Sequence, residues 1–358
     1  LVLALLTACN MGPSEEEENP EDTPSKSVLE AQKDDYAILL PFENSPLRQD
    51  YANNFREVDM MELGGRLQEK TKEYFNPKKY YISEGSVINR DRYYQLLAYQ
   101  SDRNPNGLNL KPFEIKDQGE TIKDPKFVSD IFEVNFHQSE DREQIDGIAL
   151  ALVLKRVQVL DHEIGTTHKL SDDTLYEVGR TLGLRLYSYL TSLEGLADIP
   201  IYIGLYVQES DVDQLPGKYL PGHFIGHAFF KTRSDQFTRD EETWLYINSN
   251  EARETVPNAA NNFARLERNL AEFIADEKVG MVGKVFLEEK NLRRIQIEVI
   301  TGSKTYLEMY GLAQFLATEM ASFDEYNVPV QVDLRIHQRT RFVIHKEPGK
   351  QAEIIDLK

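Results

Sequence analysis

One cysteine, seven histidines and an excess of carboxylates are the groups through which this chain could do chemistry. Cys9 is the single thiol, so neither an intrachain disulfide nor a cysteine-built zinc site can form. It follows an apolar run ending in Leu6-Thr7-Ala8, and Gly, Pro, Ser and acids come after it. An apolar run, a small residue and then a polar segment make the end of a secretory signal. His162-Glu163 with His168 raises a zinc reading, but a zinc protease needs two histidines four apart on one helix face. These lie six apart in a polar segment containing Gly165, which reads as a solvated loop. His223 and His227 are four apart, yet Pro221, Gly222 and Gly226 disfavour a helix, so a loop feeding a strand is expected and no metal. No Gly-x-Ser-x-Gly elbow, phosphate loop or dinucleotide glycine cluster occurs. Asp172-Asp173 and Glu241-Glu242 read as solvated or helix-start acids. The residues therefore predict no catalytic group, no cofactor and a non-enzymatic protein.

Tyrosines offer a different chemistry, because a phenol ring stacks on sugars or peptides and presents a hydroxyl. Tyr80, Tyr81, Tyr93, Tyr94 and Tyr99 cluster in the first third of the chain. Burial in a core is their commoner use. The binding reading is a groove between two lobes formed by Tyr80, Tyr81, Tyr93, Tyr94 and His223.

Bulk properties bound these readings. The chain has 358 residues, 41% of them hydrophobic and 28% charged, enough for one large folded body or two smaller ones. No run approaches the ~18 apolar residues of a spanning helix. The net charge of -19 repels nucleic-acid phosphates, so no nucleic-acid partner is expected. Between 10 and 35, nine acids stand against Lys26 and Lys33, with Pro13, Pro20 and Pro24 among them. Such a segment buries too little apolar surface to fold, and reads as a tether with a reach of roughly 25–30 Å.

The positioning elements follow from periodicity. Ala37 to Phe42 predicts a short strand. A helix is expected from about Asn54 to Phe75, with Phe55, Val58, Leu63, Leu67 and Tyr74 on one stripe and Gly64-Gly65 as a weak point. Asp91 is expected to cap a short helix, and the loop-rich 101–125 to separate the lobes. Gly147 to Leu160 reads as a strand or hairpin. Ser171 caps a helix with Leu175, Leu182, Leu186 and Leu190 on its apolar face. Strands are expected at 201–207 and 227–231, a helix at 261–277, a hairpin at 282–300, a helix carrying Tyr306 to Phe323, and strands at 330–336 and 341–345. A strand–strand–helix–strand unit thus recurs at 147–207 and 281–336. The fold class is α+β, a largely antiparallel sheet with helices on one face. The expected divisions are 1–8 (signal), 9–35 (lipidated Cys and tether), 36–135 (N-terminal α/β lobe) and 136–358 (α+β core).

Leu6-Thr7-Ala8-Cys9 resembles the lipobox of bacterial lipoproteins. That resemblance implies a diacylglyceryl group on Cys9 and cleavage between Ala8 and Cys9. A lipid transferase and a signal peptidase would act during export, leaving a lipid-anchored protein on the extracellular face of the cell membrane. No Met or basic segment precedes Leu1, so the sequence is read as opening inside a signal peptide. With the acidic tether, the tracts KEYFNPKKYYISEG (72–85), IDGIALALVL (145–154) and IPIYIGLY (199–206), the loop LPGHFI (220–225) and the 280–300 hairpin resemble the CamS family of Gram-positive lipoproteins, described as sex pheromone precursors. The resemblance implies that the apolar segment before the lipidated cysteine is released as a peptide pheromone. The peptide would act through a receptor on plasmid conjugation in a recipient bacterium. The matching positions are Val2, Leu3, Ala4, Leu5, Leu6, Thr7 and Ala8, and no Phe is among them. The alternatives are a cell-envelope enzyme, or a peptide- or solute-binding lipoprotein, using an interlobe cleft.

Overall fold

Ile148 to Leu154 holds no polar residue, and a strand of that composition must be covered on both faces. The computed structural model, which describes residues 27–31, 34–54, 59–161, 164–209, 220–231, 236–274 and 279–357, places it at the centre of an eight-stranded sheet. The N-terminal stretch of the chain supplies β1 (Val28–Leu29), β2 (Ala37–Leu39), α1 (Arg48–Asn54), α2 (Met60–Thr71), β3 (Tyr81–Glu84) and α3 (Arg90–Leu97). A small hairpin follows, β4 (Glu114–Asp117) and β5 (Glu120–Lys123), then β6 (Val128–His137) and β7 (Gly147–Lys155). A second small hairpin, β8 (Val157–Asp161) and β9 (Thr166–Lys169), leads into α4 (Asp172–Thr191), β10 (Ile201–Gln208), β11 (His223–Phe230) and β12 (Thr238–Arg239). The strand order is β1-β2-β3-β6-β7-β10-β11-β12, antiparallel except for the β2–β3 and β7–β10 pairs. Because β6 runs from Val128 to His137, this sheet takes strands from both sides of position 135.

The alternation of large and small residues along β7 decides what covers each face. Ile148, Leu150, Leu152 and Leu154 join Leu96 of α3 and Leu175, Leu182, Leu186 and Leu190 of α4 in one core. Ala149, Ala151 and Val153 face the other way, toward Leu63 and Leu67 of α2 and toward Phe75, Tyr202 and Tyr206. Alanines leave the space into which α2 settles. The first sheet therefore has helices on both faces, where the sequence pattern indicated one.

The remaining chain forms a six-stranded sheet from β13 (Glu242–Tyr246), β14 (Val279–Glu288), β15 (Asn291–Thr301), β16 (Val330–Ile336), β17 (Arg339–Lys346) and β18 (Glu353–Asp356), in that order. Only β15–β16 is parallel among the pairs described. Between strands lie α5 (Asn250–Thr255), α6 (Pro257–Ile274), α7 (Tyr306–Glu319) and a 3-10 turn over Met320–Tyr326. Phe263, Leu266 and Leu270 of α6 and Met309, Leu312 and Leu316 of α7 meet Val285, Ile297, Val299 and Val332 in a separate core on one face. The protein is thus an α+β fold with two largely antiparallel sheets.

Each sheet contains the same plan: a hairpin, a helix, a strand parallel to the hairpin's second strand, and an antiparallel neighbour. It runs β6-β7-α4-β10-β11 and again β14-β15-α7-β16-β17. In both, the residue opening the parallel pair donates to a proline carbonyl, Ile148 N to Pro200 O and Ile295 N to Pro329 O, each at 3.1 Å. The first unit opens at Val128, not Gly147, because β8 leaves the sheet to pair with β9 and β7 takes β6 as its hairpin partner.

Local boundaries differ where side chains compete for backbone groups. The helix expected over 54–75 is split: α1 ends at Asn54, and α2 starts after Asp59, whose carboxylate accepts from Met61 N and Glu62 N. Asn89, rather than Asp91, caps α3, accepting from Arg92 N at 3.0 Å. Ser171 caps α4 as expected. His223 already lies in β11, four residues before the expected start.

Candidate functional site

α2 is the element both sheets share. Leu63 and Leu67 bind it to the first sheet, while Glu62, Arg66 and Lys70, at i, i+4 and i+8 on its other side, face the second. Arg66 Nη2 reaches Glu242 Oε1 at 2.5 Å, and Lys70 Nζ reaches the same oxygen at 2.7 Å. The other oxygen of Glu242 accepts from Phe224 N of the first sheet at 3.1 Å. The Arg66 guanidinium also lies over the Phe286 ring, 4.8 Å from its centroid, and Arg294 pairs with Glu62 at 3.0 Å. The Glu242 side chain is 1% exposed, which corrects its reading from the sequence as a solvated acid. Three charge-assisted bonds offset the cost of burying it.

A second array runs from the same seam toward the end of α2. Lys70 lies 3.2 Å from Asp240, which accepts from His227 Nδ1 at 3.0 Å, and the Tyr74 hydroxyl donates to His227 Nε2 at 2.7 Å. Burial opposes the charge on Asp240, but the His227 hydrogen bond and the Lys70 ammonium outweigh it and hold the carboxyl below its usual range. The Asp–His–Tyr order is that of an acid–base relay. Burial, with the charges of Glu73 and Asp240, raises the Tyr74 phenol, which works against its acting as a nucleophile. Tyr74, half-buried, also packs against Tyr202 and Phe229, with ring centroids 5.4 and 4.6 Å away. The array ties the segment after α2 to β11. Beside it, a cavity of about 340 Å³ is floored by Ile225, Leu245 and Leu287 and rimmed by Asp240, Glu241 and Arg239.

The tyrosines of the predicted groove do not come together. Tyr93 is buried in the α4-side core, its hydroxyl donating to Asp130 Oδ1 at 3.0 Å. Tyr94, exposed on the same helix, donates to Asp50. Tyr80 packs on the opposite side of the sheet against Phe75 and Phe136 and accepts from Gln138. Tyr81 pairs with His137 across the β3–β6 ladder. His223 is buried at the start of β11, with Nδ1 3.7 Å from Glu209, and burial lowers its pKa. His168 is bound by Asp117 at 2.7 Å, while His162 and Glu163 lie outside the described residues. So do Cys9 and Val2 to Ala8. Among the described residues, no group of three or more His, Cys, Asp or Glu is arranged to hold a metal ion.

Sequence reasoning missed Lys70, Tyr74, Asp240 and Glu242. The signal for the first was present in the stripe Glu62, Arg66, Lys70 opposite Leu63 and Leu67. Spacing placed Tyr74 on the apolar stripe of a helix that ends instead at Thr71, and no spacing pointed to the two acids, which reach the seam through tertiary packing alone.

Comparison with known proteins places this architecture. No curated protein matches the chain. A sex pheromone precursor from Lactobacillus salivarius subsp. salivarius UCC118 superposes with a TM-score of 0.74 at 17% identity, covering 92% of this chain and 98% of that one. The C-terminal domain of the sex pheromone staph-cAM373 precursor from Staphylococcus aureus gives 0.63 at 21% identity, covering 82% of this chain and 94% of that one. Both likenesses bear on the fold. The family described as CamS sex pheromone cAM373 precursor matches residues 42–352, which takes in β3 to β17 and the seam between the two sheets, and the chain belongs to that family.

Proposed function

We propose that the chain is the precursor of a lipid-anchored extracellular lipoprotein whose signal segment is released as a peptide pheromone. In this reading a lipid transferase modifies Cys9, and a signal peptidase cuts between Ala8 and Cys9. Val2 to Ala8 leaves as a short apolar peptide that acts through a receptor on plasmid conjugation in a recipient cell. The observation that carries it is the apolar run ending in Leu6-Thr7-Ala8-Cys9 ahead of an acidic tether, in a member of a family described as pheromone precursors. Among the described residues no helix is long and apolar enough to cross a membrane. The folded domain, in this reading non-enzymatic, is held outside the bilayer.

Mass spectrometry of culture supernatant and of the mature N-terminus tests both halves. A peptide from within Val2 to Ala8 and a diacylated Cys9 are expected. A supernatant without that peptide removes the pheromone reading, and a Cys9→Ala protein that stays membrane-bound removes the anchor. The cavity of about 340 Å³ between the sheets favours a second reading, a solute- or peptide-binding lipoprotein. Ligand retained by the purified chain, and lost on filling the cavity with Thr243→Trp, would distinguish it.

A further inference from the structure

On the face of the first sheet opposite α2, the outer side of α4 borders a groove of about 600 Å³, within the range of small-molecule sites. Thr181, Arg185 and Ser188 of α4 and Ser192, which caps its end, are spaced i, i+4, i+7 and i+11 and form one wall. The loop after α3 brings Pro105 to the other. No carboxylate lines this groove, in a chain with 60 acids against 41 lysines and arginines. The cavity of about 340 Å³ at the seam, by contrast, is rimmed by Asp240 and Glu241.

Arg185 gives the groove its charge. Its Nη2 donates to the backbone carbonyls of Pro105 at 3.3 Å and Gly107 at 3.2 Å, which fixes the guanidinium between helix and loop. Its Nε is buried without a hydrogen-bond partner, so among the described residues the positive charge is met by carbonyl dipoles and by no carboxylate. Arg92 of α3 lies near the hydroxyl of Tyr189, which also lines the groove, and adds a second positive charge. The helix hydroxyls make the complementary demand. Thr181 Oγ1 donates to Glu177 O and Ser188 Oγ to Leu184 O, each at 3.0 Å, and Ser192 Oγ to Tyr189 O at 2.6 Å. With their hydrogens committed to the helix, these oxygens are left to accept. A ligand must therefore bring negative charge to Arg185 and hydrogen-bond donors to the serines, while the rings of Tyr189 and Pro105 supply apolar surface of the kind that the C–H face of a sugar covers. We propose that the α4 groove binds a small polyhydroxylated anion, a sugar acid or a sugar phosphate, with its anionic group on Arg185 and its hydroxyls donating to Ser188 and Ser192. The proposal is independent of the fate of the leader and of the cavity at the seam.

Isothermal titration calorimetry of the purified full chain with D-glucuronate, D-glucose 6-phosphate and neutral D-glucose tests it. One of the two anions should bind saturably and at least about tenfold more tightly than glucose, and which one does so separates a carboxylate from a phosphate ligand. Arg185→Gln should weaken Kd for that anion about tenfold or more. Ser188→Trp should fill the groove and abolish binding, whereas Thr243→Trp in the seam cavity should leave Kd unchanged. Near-UV circular dichroism checks that each variant is folded, and because Ser188 is exposed, Ser188→Trp decides the matter if Arg185→Gln loosens the loop. No saturable binding of either anion up to about 10 mM, glucose binding as tightly as the anions, or an unchanged Kd in Ser188→Trp overturns the proposal. Inorganic phosphate binding as tightly as the sugar phosphate overturns the hydroxyl contacts. Loss of binding in Thr243→Trp places the ligand at the seam and overturns the α4 site.

Discussion

Arg66 of α2 and Glu242 of β13 meet at 2.5 Å across 176 residues of chain, and the side chain of Glu242 is almost wholly buried. The contact fastens one sheet to the other. Glu242→Ala removes the carboxylate that Arg66 and Lys70 share, leaving Lys70 with Asp240 and Arg66 with the more distant Glu288, and strips Phe224 N of its acceptor. Breaking a buried pair from one side costs about 3–5 kcal/mol. Urea unfolding should show the midpoint falling accordingly, and a change below about 1 kcal/mol would mean that the seam is solvated.

Phe75 lies flat on Phe136, with centroids 4.2 Å apart and planes 12° from parallel, and occupies the space beside Gly147. A Cβ at 147 would stand 2.2 Å from the Phe75 ring. Gly147→Ala should destabilise by about 1–3 kcal/mol through overpacking. Phe75→Leu in the same chain should restore some of that. Thermal unfolding of the two variants and the double variant checks both statements.

Asp117, on the β4–β5 hairpin, binds the start of α4. Its carboxylate accepts from Ser171 Oγ and Thr174 Oγ1 at 2.6 Å and from His168 Nε2 at 2.7 Å. Burial pushes its pKa up, but these bonds outweigh burial and hold it at about 2, against an ordinary 3.8. A depressed folded-state pKa contributes stability that is present above about 3.8 and lost as pH falls toward 2. Acid titrations of Asp117→Asn should show lower stability at pH 7 and a shallower decline between pH 4 and pH 2. Parallel curves for both proteins would remove the assignment.

Thr305 and Glu308 form a capping box at α7, with Glu308 N donating to Thr305 Oγ1 at 3.3 Å and Thr305 N to Glu308 at 2.6 Å. Thr305→Ala should cost about 1 kcal/mol. Hydrogen exchange of the first turn of α7 should accelerate while the β7 and β10 amides keep their protection.

The central strands were legible because their chemistry is one-dimensional. Ile148 to Leu154 and Ile201 to Val207 are apolar without interruption, and nothing but a strand covered on both faces accommodates them. The repeated unit was legible through Pro200 and Pro329, each of which precedes a strand. Its upstream limit was not, because the pairing of β7 with β6 instead of β8 depends on contacts the local pattern does not contain. The tyrosines misled for a related reason: Tyr80, just before β3, and Tyr93, on α3, are close in sequence but lie on opposite faces of one sheet. Glu242 looked like a surface acid beside Glu241, and only the arrival of Arg66 and Lys70 makes it an interior one.

The shared helix also imposes an order of events. α2 emerges early, yet its charged side waits for Glu242, 176 residues later than Arg66, and for Arg294, 232 residues after Glu62. Contacts so distant in sequence form late, after the loop-closure entropy has been overcome. During synthesis from the N-terminus, the first sheet can complete its own cores while Arg66 and Lys70 remain in water. Docking of the second sheet is then the closing step of assembly, and a chain cut short before β13 would expose a basic stripe that the finished protein conceals.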